Sequence, residues 1–162
     1  MRSSAGRYGR AAVVAVLSAT LVTNAPPALA KNTKQVKPKE TAEHALIHWV
    51  NVQRRDAGLR PVSKAADLTA LAHRHTAHMA KNDRVFHNRL LGSEVHGWLT
   101  LGEDVGSAAS LSDLEKAFLS TAANRANLLG PGMRQIGVGT RTREGLLYVT
   151  VIMLRPDSSR PG

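Results

Sequence analysis

The sequence contains no cysteine among its 162 residues. Disulfide frameworks are therefore excluded, and so is any redox or metal chemistry that depends on thiolate groups. A chain of this length accommodates one domain of ordinary size with extensions at its ends. Such a domain must be stabilised by its hydrophobic core, without covalent cross-links.

Long apolar runs are also missing. The longest, AAVVAVLSATLV at Ala11–Val22, is too short to span a bilayer comfortably. Three arginines precede it, and a small-residue A-x-A arrangement ends at Ala30. This pattern is typical of a secretory signal peptide, so we predict a leader over residues 1–30, cleavage before Lys31 and secretion to the extracellular space or the cell wall. A retained N-terminal anchor is the alternative.

Aromatic residues make up only 4% of the chain. A nucleic-acid groove needs basic side chains interleaved with stacking rings, so we predict no specific nucleic-acid partner. The chain is nevertheless basic, with a formal net charge of +10, and 19 basic and 12 acidic residues remain once the leader is removed. This excess favours peripheral contact with lipid headgroups or anionic envelope polymers, and a solvated basic surface is the simpler interpretation.

Composition divides the rest of the chain into three segments. Residues 31–40 are polar and basic and are predicted to be a flexible linker, residues 41–154 a domain, and residues 155–162 a disordered tail. The patterns within the domain first predict a helix capped by Thr41 and ended by Gly58, a helix over Ala65–Asn82, and a short strand near Trp98–Leu101. A helix capped by Ser112 follows, with Leu114, Ala117, Phe118 and Thr121 on its buried side. Two strands, Gln135–Thr140 and Leu146–Leu154, come last and are joined by RTREG as an antiparallel hairpin. This order indicates an α+β fold in which helices cover a small antiparallel sheet.

Several histidines lie on the first two predicted helices. His44 and His48 have the i, i+4 spacing of metal ligands, but both fall opposite the apolar stripe and are interpreted as surface residues. His75 lies on the apolar face of the second helix and is interpreted as a hydrogen-bonded packing residue, whereas His73 is predicted to point outward.

Three polar positions beyond the second helix are candidates for chemistry: His87 in VFHN, Glu103 in LGEDVG, and Asn124 in LSTAANRANLLGP. The last segment predicts the end of one helix, a polar break, and a short helix stopped by Gly130 and Pro131. An imidazole, a carboxylate and a third polar group in one cleft could bind a divalent cation or activate a water molecule. Three independent structural roles are the alternative, because the residues are far apart in sequence.

Five segments, taken in order, resemble a known family. They are LIHWVNVQRRDAGLRPV, LTALAHRHTAHMAKNDRVFHN, LGEDVG, FLSTAANRANLLGPGMRQIGVG and LYVTVIML. Together they are similar to the CAP superfamily in its bacterial, cysteine-free form, the secreted SCP-like domains, over the region from Ala42 to Leu154. The resemblance implies an α-β-α sandwich with a cleft in which two histidines and acidic residues can hold a divalent metal.

The resemblance also assigns the three candidate residues. His87 matches the histidine of the family's F-S-H motif, and Glu103 matches the glutamate of its G-E-N motif, with Asp104 where asparagine usually stands. The second family histidine falls on Asn124, and an amide is a poor zinc ligand that cannot shuttle protons. The resemblance therefore implies weak binding of zinc or magnesium, through His87 and Glu103, unless Glu94 or His96 in SEVHGW compensates. Arg125 and Asn127, which also match family positions, are predicted to be structural.

These observations predict a secreted, monomeric CAP-domain protein that binds a ligand or partner at the cell envelope and is not a conventional enzyme. Lipids, amphiphiles and anionic envelope polymers are the expected ligands, at a degenerate cleft formed by His87, Glu103 and Asn124. One alternative is a hydrolase with Glu103 as general base and His87 as its polarising partner or as a metal ligand. Another is a basic structural protein with a vestigial cleft, because a shared fold does not determine a shared activity.

Overall fold

The computed structural model describes residues 38–159. The predicted leader, most of the predicted linker and the last three residues of the tail lie outside this range. The elements in chain order are α1 Pro38–Asp56, β1 Ser63–Lys64, α2 Ala66–Lys81, α3 Leu91–Glu94, β2 Trp98–Ala108, α4 Leu111–Ser120, α5 Ala122–Leu128, β3 Gln135–Arg143 and β4 Leu146–Pro156.

The four strands form one sheet in the order β1-β3-β4-β2. The short β1 runs parallel to β3, and the other neighbours are antiparallel. Because side chains alternate along a strand, β4 sends Ile152 and Leu154 to the face covered by α2 and α3, and Val151 and Met153 to the face covered by α1, α4 and α5. The predicted α-β-α sandwich is therefore confirmed.

Two glycines of β3 allow α2 to lie directly on the sheet. A Cβ atom added to Gly137 would come within 2.2 Å of the backbone of Leu68, and one added to Gly139 would come within 2.4 Å of the backbone of Ala72. Such distances are impossible for real atoms, so these two positions need glycine for close approach. The IGVG segment thus sets the depth at which α2 packs.

A buried arginine holds the loop between α5 and β3. Arg54, at the end of α1, is fully buried and donates to four main-chain carbonyl oxygens. Its Nη1 lies 2.7 Å from Leu128 O and 3.1 Å from Gly130 O, its Nη2 3.3 Å from Met133 O, and its Nε 2.9 Å from Arg60 O. Burial lowers the pKa of this guanidinium, and the charge of Arg134 lowers it further. The arginine of VNVQRR is therefore a structural residue.

Several predicted boundaries are wrong by a few residues. Helix α1 begins at Pro38, inside the predicted linker, and proline is common at the first helical position. Helix α4 is capped by Ser110, whose hydroxyl accepts from the backbone N–H of Asp113, so Ser112 is not the cap. Ala117 and Thr121 are exposed, whereas the predicted burial of Leu114 and Phe118 is correct.

The strands are longer than predicted. Strand β2 has 11 residues, because it pairs with β4 along nearly its whole length. The predicted RTREG link is a two-residue turn. Within this segment Glu144 and Gly145 have positive φ values, 50° and 79°, whereas Arg141 to Arg143 continue β3. Two positive φ values are what a tight hairpin turn requires. Strand β4 continues to Pro156, which shortens the predicted tail.

Candidate functional site

Strand β2 places two acidic residues on opposite faces of the sheet. Glu103 pairs with Ile152 and therefore faces α2, whereas Asp104 pairs with Val151 and faces α5. Both residues are buried. Adjacent buried acidic residues are costly unless they find partners, and their partners define the site.

The carboxylate of Glu103 is held by the segment that follows α2. Its Oε2 accepts from His87 Nδ1 and from the backbone N–H of Asn88, each at 2.9 Å. The side chain of Glu103 is 5% exposed and that of His87 is 66% exposed. A carboxylate facing Nδ1 places the proton of the neutral imidazole there, so Nε2 is left as the basic nitrogen facing solvent.

His75 completes this environment from α2. Its Nε2 lies 2.7 Å from the carbonyl oxygen of Phe86, to which it must donate, and 3.8 Å from Glu103 Oε1. Its ring meets that of Phe86 edge to face at 5.3 Å between centroids. The prediction that His75 is a hydrogen-bonded packing residue agrees with these contacts, and its position beside Glu103 was not foreseen.

The second acidic residue lies in a different environment. Asp104 is 0% exposed. Its Oδ1 accepts from Asn127 Nδ2 at 2.7 Å, and the same amide nitrogen donates to Glu103 O at 3.2 Å. Burial raises the pKa of Asp104 to about 7; the Asn127 hydrogen bond and the His87 charge oppose this shift, and the Glu103 charge adds to it. Asp104 therefore titrates near neutral pH.

Two buried oxygens lack hydrogen-bond partners in the described part of the chain, Glu103 Oε1 and Asp104 Oδ2. One belongs to each acidic residue, on opposite faces of the sheet. Unpaired buried oxygens are uncommon and cost free energy, so their presence on neighbouring residues marks this part of β2 as polar for a reason other than stability.

The structure joins two of the three residues that the sequence suggested. His87 and Glu103 are in direct contact, but within residues 38–159 the side chain of Asn124 makes no hydrogen bond with either. The hydrogen bond of Asn124 is from its backbone N–H to Thr121 Oγ1, at 3.3 Å. The predicted three-residue cleft is therefore not formed by these contacts, because the amide that reaches β2 from α5 is Asn127, one turn later.

The other predicted histidines and acids occupy varied positions. His44, His48 and His96 are exposed, as expected for His44 and His48. His73, predicted to point outward, is half-buried, with its Nε2 3.0 Å from Glu43 Oε1. Glu43 belongs to α1 and is buried. Glu94 accepts from Asn88 Nδ2 at 2.6 Å and does not join Glu103.

The donor set does not fit a zinc centre. In the part of the chain that the structure describes, no group of three or more histidines and acidic residues is arranged to hold a metal ion. His87 Nδ1 is bonded to Glu103, and His75 Nε2 is bonded to a carbonyl oxygen, so neither nitrogen is free to bind a cation. A zinc site needs three or four ligands, and the remaining nitrogens of these two rings cannot supply them.

Sequence reasoning missed two residues of this site for different reasons. Asp104 was noticed only as a departure from a motif, although alternation along β2 would have placed it opposite Glu103. Asn88 contributes through its backbone N–H, and no sequence signal reports that contact.

Comparison with known proteins identifies the family. Residues 47–154 match the family described as CAP, the cysteine-rich secretory protein family. The matched region is more than half of the chain. The chain belongs to the CAP family. This CAP domain contains no cysteine, in spite of the family's description.

Solved structures of bacterial proteins share the fold. An outer surface protein from Borrelia burgdorferi has a TM-score of 0.66 at 14% identity, covering 72% of this chain and 94% of its own. A cysteine-rich secretory protein from Staphylococcus aureus has a TM-score of 0.63 at 22% identity, and the match covers 76% of this chain and 42% of that protein. An extracellular SCP-domain protein from Bacillus anthracis has a TM-score of 0.63 at 18% identity, and the match covers 76% of this chain and 45% of that protein. This CAP domain thus spans less than half the length of the latter two.

No curated protein matches the sequence. Within residues 38–159, no helix is both long and apolar enough to cross a membrane.

Proposed function

We propose that this protein is a secreted ligand-binding or interaction module of the cell envelope, with His87 as its polar contact point. The observation that carries the proposal is the contact of an exposed imidazole with a buried carboxylate, at 2.9 Å. Glu103 orients the ring through its hydrogen bond with Nδ1, and the solvent-facing Nε2 is left to bind a ligand. When protonated, His87 presents a positive charge that Glu103 stabilises, and this charge suits anionic ligands.

Membership of the CAP family and the basic composition support an envelope ligand. The relatives include an outer surface protein and an extracellular protein, and the predicted leader directs this chain to the same compartment. The excess of basic residues draws the protein toward anionic lipids or polymers. A lipid, an amphiphile or an anionic envelope polymer is therefore the ligand class that we infer.

Co-sedimentation of the full chain with vesicles tests this function. Vesicles of phosphatidylglycerol should retain the protein at low salt, and vesicles of phosphatidylcholine should not. His87→Gln should weaken retention several-fold, because the exposed imidazole is lost. His96→Gln is the matched control, since His96 is also exposed and contacts no residue of the site. Equal retention of the His87→Gln variant and the wild type would contradict the proposal.

A second candidate function is hydrolysis, which the same contact favours. An imidazole oriented by a buried carboxylate is the arrangement of a general base, and here His87 is the exposed group. The roles are then exchanged relative to the sequence-based hypothesis, because Glu103 is too buried to meet a substrate. Release of p-nitrophenol from p-nitrophenyl butyrate measures this activity. It should fall at least about 100-fold in His87→Gln, and a wild-type rate equal to that of the variant would exclude hydrolysis of such esters at this site.

Calorimetric titration with zinc and with magnesium tests the remaining role suggested by the resemblance. We expect no saturable binding, because within residues 38–159 no three histidines and acidic residues are arranged to hold a metal ion. Tight binding that disappears in both His87→Ala and Glu103→Ala would show instead that the site rearranges around a metal.

A further inference from the structure

A separate cavity lies on the α5 side of the sheet, where β2 begins and β4 ends. Its volume is about 280 Å³. Its polar wall consists of Thr100, Asn127 and Arg155, and its apolar wall includes Ala126, Pro131 and Met133. Neither His87 nor Glu103 lines it. The volume is close to the lower end of the range for small-molecule sites.

The polar groups of this cavity have unused hydrogen-bonding capacity. Within residues 38–159, neither Arg155 nor Thr100 makes a side-chain hydrogen bond or an ion pair. Asn127 donates from its Nδ2 to Glu103 O and Asp104 Oδ1, so its own Oδ1 is left as a free acceptor. The cavity therefore presents a cation, a hydroxyl group and an amide oxygen, with no carboxylate among its lining residues.

Two glycines leave the space that the polar side chains occupy. A Cβ atom on Gly132 would lie 2.3 Å from Arg155 Cδ, and one on Gly102 would lie 2.5 Å from Asn127 Oδ1. Each polar side chain is thus laid flat on a backbone that has no Cβ. Asn127 is held by its two hydrogen bonds, so its side chain loses less conformational entropy when a ligand binds.

The buried Asp104 gives Asn127 a fixed orientation. Asn127 can donate to two oxygen acceptors only with its nitrogen turned toward β2, so its oxygen must face away from them. A ligand in the cavity therefore meets an acceptor at Asn127 and a donor at Arg155. A molecule with an acidic group and a separate hydrogen-bond donor satisfies both.

We propose that this cavity binds a small organic acid. Its carboxylate pairs with the planar guanidinium of Arg155, its hydroxyl or amino group donates to Asn127 Oδ1, and its short apolar part packs against Ala126, Pro131 and Met133. This site is distinct from the contact of His87 with Glu103 and does not depend on the function proposed for it.

Nuclear magnetic resonance titration of the full chain with 2-hydroxyhexanoate tests the proposal. The backbone amides of Gly130 and Gly132 and the side-chain amide of Asn127 should shift saturably, with a dissociation constant on the order of 1 mM for so small a probe. Hexane-1,2-diol keeps the chain and a hydroxyl group but lacks the carboxylate, and should cause no saturable shift. Inorganic phosphate distinguishes a phosphate site, and binding of phosphate as tight as that of the acid would overturn the assignment.

Variants of this chain sharpen the test. Arg155→Gln should weaken binding about tenfold or more, because the charge partner is lost. Arg89→Gln, which removes an exposed arginine that does not line the cavity, should leave it unchanged. Gly132→Ala should also weaken binding, since its methyl group displaces the Arg155 stem while its backbone φ is one that alanine tolerates. Retained affinity in both Arg155→Gln and Gly132→Ala, or no saturable shift in the wild type, would overturn the proposal.

Discussion

At the scale of single residues, this protein places charged and polar groups where an apolar residue would be less costly. Arg54 and Asp104 are both fully buried, and neither has a charged partner in direct contact. Arg54 is satisfied by main-chain carbonyl oxygens, whereas one oxygen of Asp104 stays unpaired. The first arrangement stabilises a loop, and the second makes the stability of the fold depend on pH.

Asp104 should make the protein less stable as the pH rises toward neutrality. Its pKa is about 7 when folded, well above the usual value for an aspartate, so the folded state binds the proton more tightly than the unfolded state. The stabilisation is complete below pH 4 and is lost as the pH rises through 7. This loss amounts to roughly 4 kcal/mol at most, because each tenfold difference in proton affinity between the folded and unfolded states is worth about 1.4 kcal/mol.

The variant Asp104→Asn isolates this effect. It keeps the oxygen that accepts from Asn127 and cannot ionise, so its melting temperature should change much less than that of the wild type between pH 5 and pH 8. Thermal unfolding followed by circular dichroism at the two pH values provides the measurement. The same pH dependence in both proteins would show that another group is responsible.

Arg54 should be among the residues most sensitive to substitution. Arg54→Met keeps much of the side-chain volume but leaves the carbonyl oxygen of Leu128 without its donor in the interior and removes one of the two donors to Met133 O. We expect a loss of about 3 kcal/mol in the free energy of unfolding, measured by urea denaturation. Arg55→Met at the exposed neighbouring position is the control and should change stability by less than about 0.5 kcal/mol. Similar losses for both variants would contradict this role.

At the scale of elements, the packing of α2 against β3 determines where the site forms. Helix α2 carries His75 and leads into the segment of His87 and Asn88, so its distance from the sheet sets the distance of these residues from Glu103. Gly137 and Gly139 permit the close approach. The glycines of IGVG therefore act on the site through packing, without contacting it.

Gly139→Ala should disrupt this packing. Its methyl group would overlap the backbone of Ala72, which cannot move aside as a flexible side chain can. We expect a destabilisation of about 2 kcal/mol or more and a weaker contact of His87 with Glu103, detected as a change in the imidazole resonances of His87. Gly92→Ala is the control, because its nearest neighbour is 3.6 Å from the added Cβ atom and its φ is not positive. Equal stability of the two variants would contradict this interpretation of IGVG.

At the scale of the whole molecule, charge is distributed unevenly along the chain. Residues 38–159 contain all 12 acidic residues and 15 of the 22 lysines and arginines, a net charge of +3. The other seven basic residues lie outside that range, three of them in the predicted leader. The basic character of the chain therefore comes mainly from segments outside the described domain, and their removal would weaken any attraction to anionic surfaces.

The predicted cleavage of the leader before Lys31 can be tested directly. Expression of the full chain in a bacterium with a general secretion pathway should yield exported protein that begins at Lys31, as determined by N-terminal sequencing. Ala30→Arg should block cleavage, because signal peptidase requires a small residue there. Exported protein that still begins at Met1, or full-length protein retained in the membrane fraction, would favour the N-terminal anchor instead.

Local pattern was sufficient for much of the fold. The apolar spacing of Leu68, Leu71 and Met79 identified α2 and its buried face, and the alternation in LLYVTVIML identified β4. Cap positions and strand ends were less accurate, because Ser110 and Ser112 are equally plausible caps in sequence and strand length depends on the partner strand.

The sequence by itself determined the order of the longer elements, much of their buried faces and the family, because each of these depends on patterns of residues that lie close together in the chain. Strand β1 and helix α3 were not predicted. Only the tertiary structure decided that Glu103 meets His87, that Asp104 is buried beside Asn127, and that Asn127 rather than Asn124 reaches β2. These contacts join residues 16 to 24 positions apart, and they arise from the alternation of β2 and from the packing of separate helices on its two faces. Sequence spacing carries no record of such distances, since they are set by how elements pack and not by how each one forms.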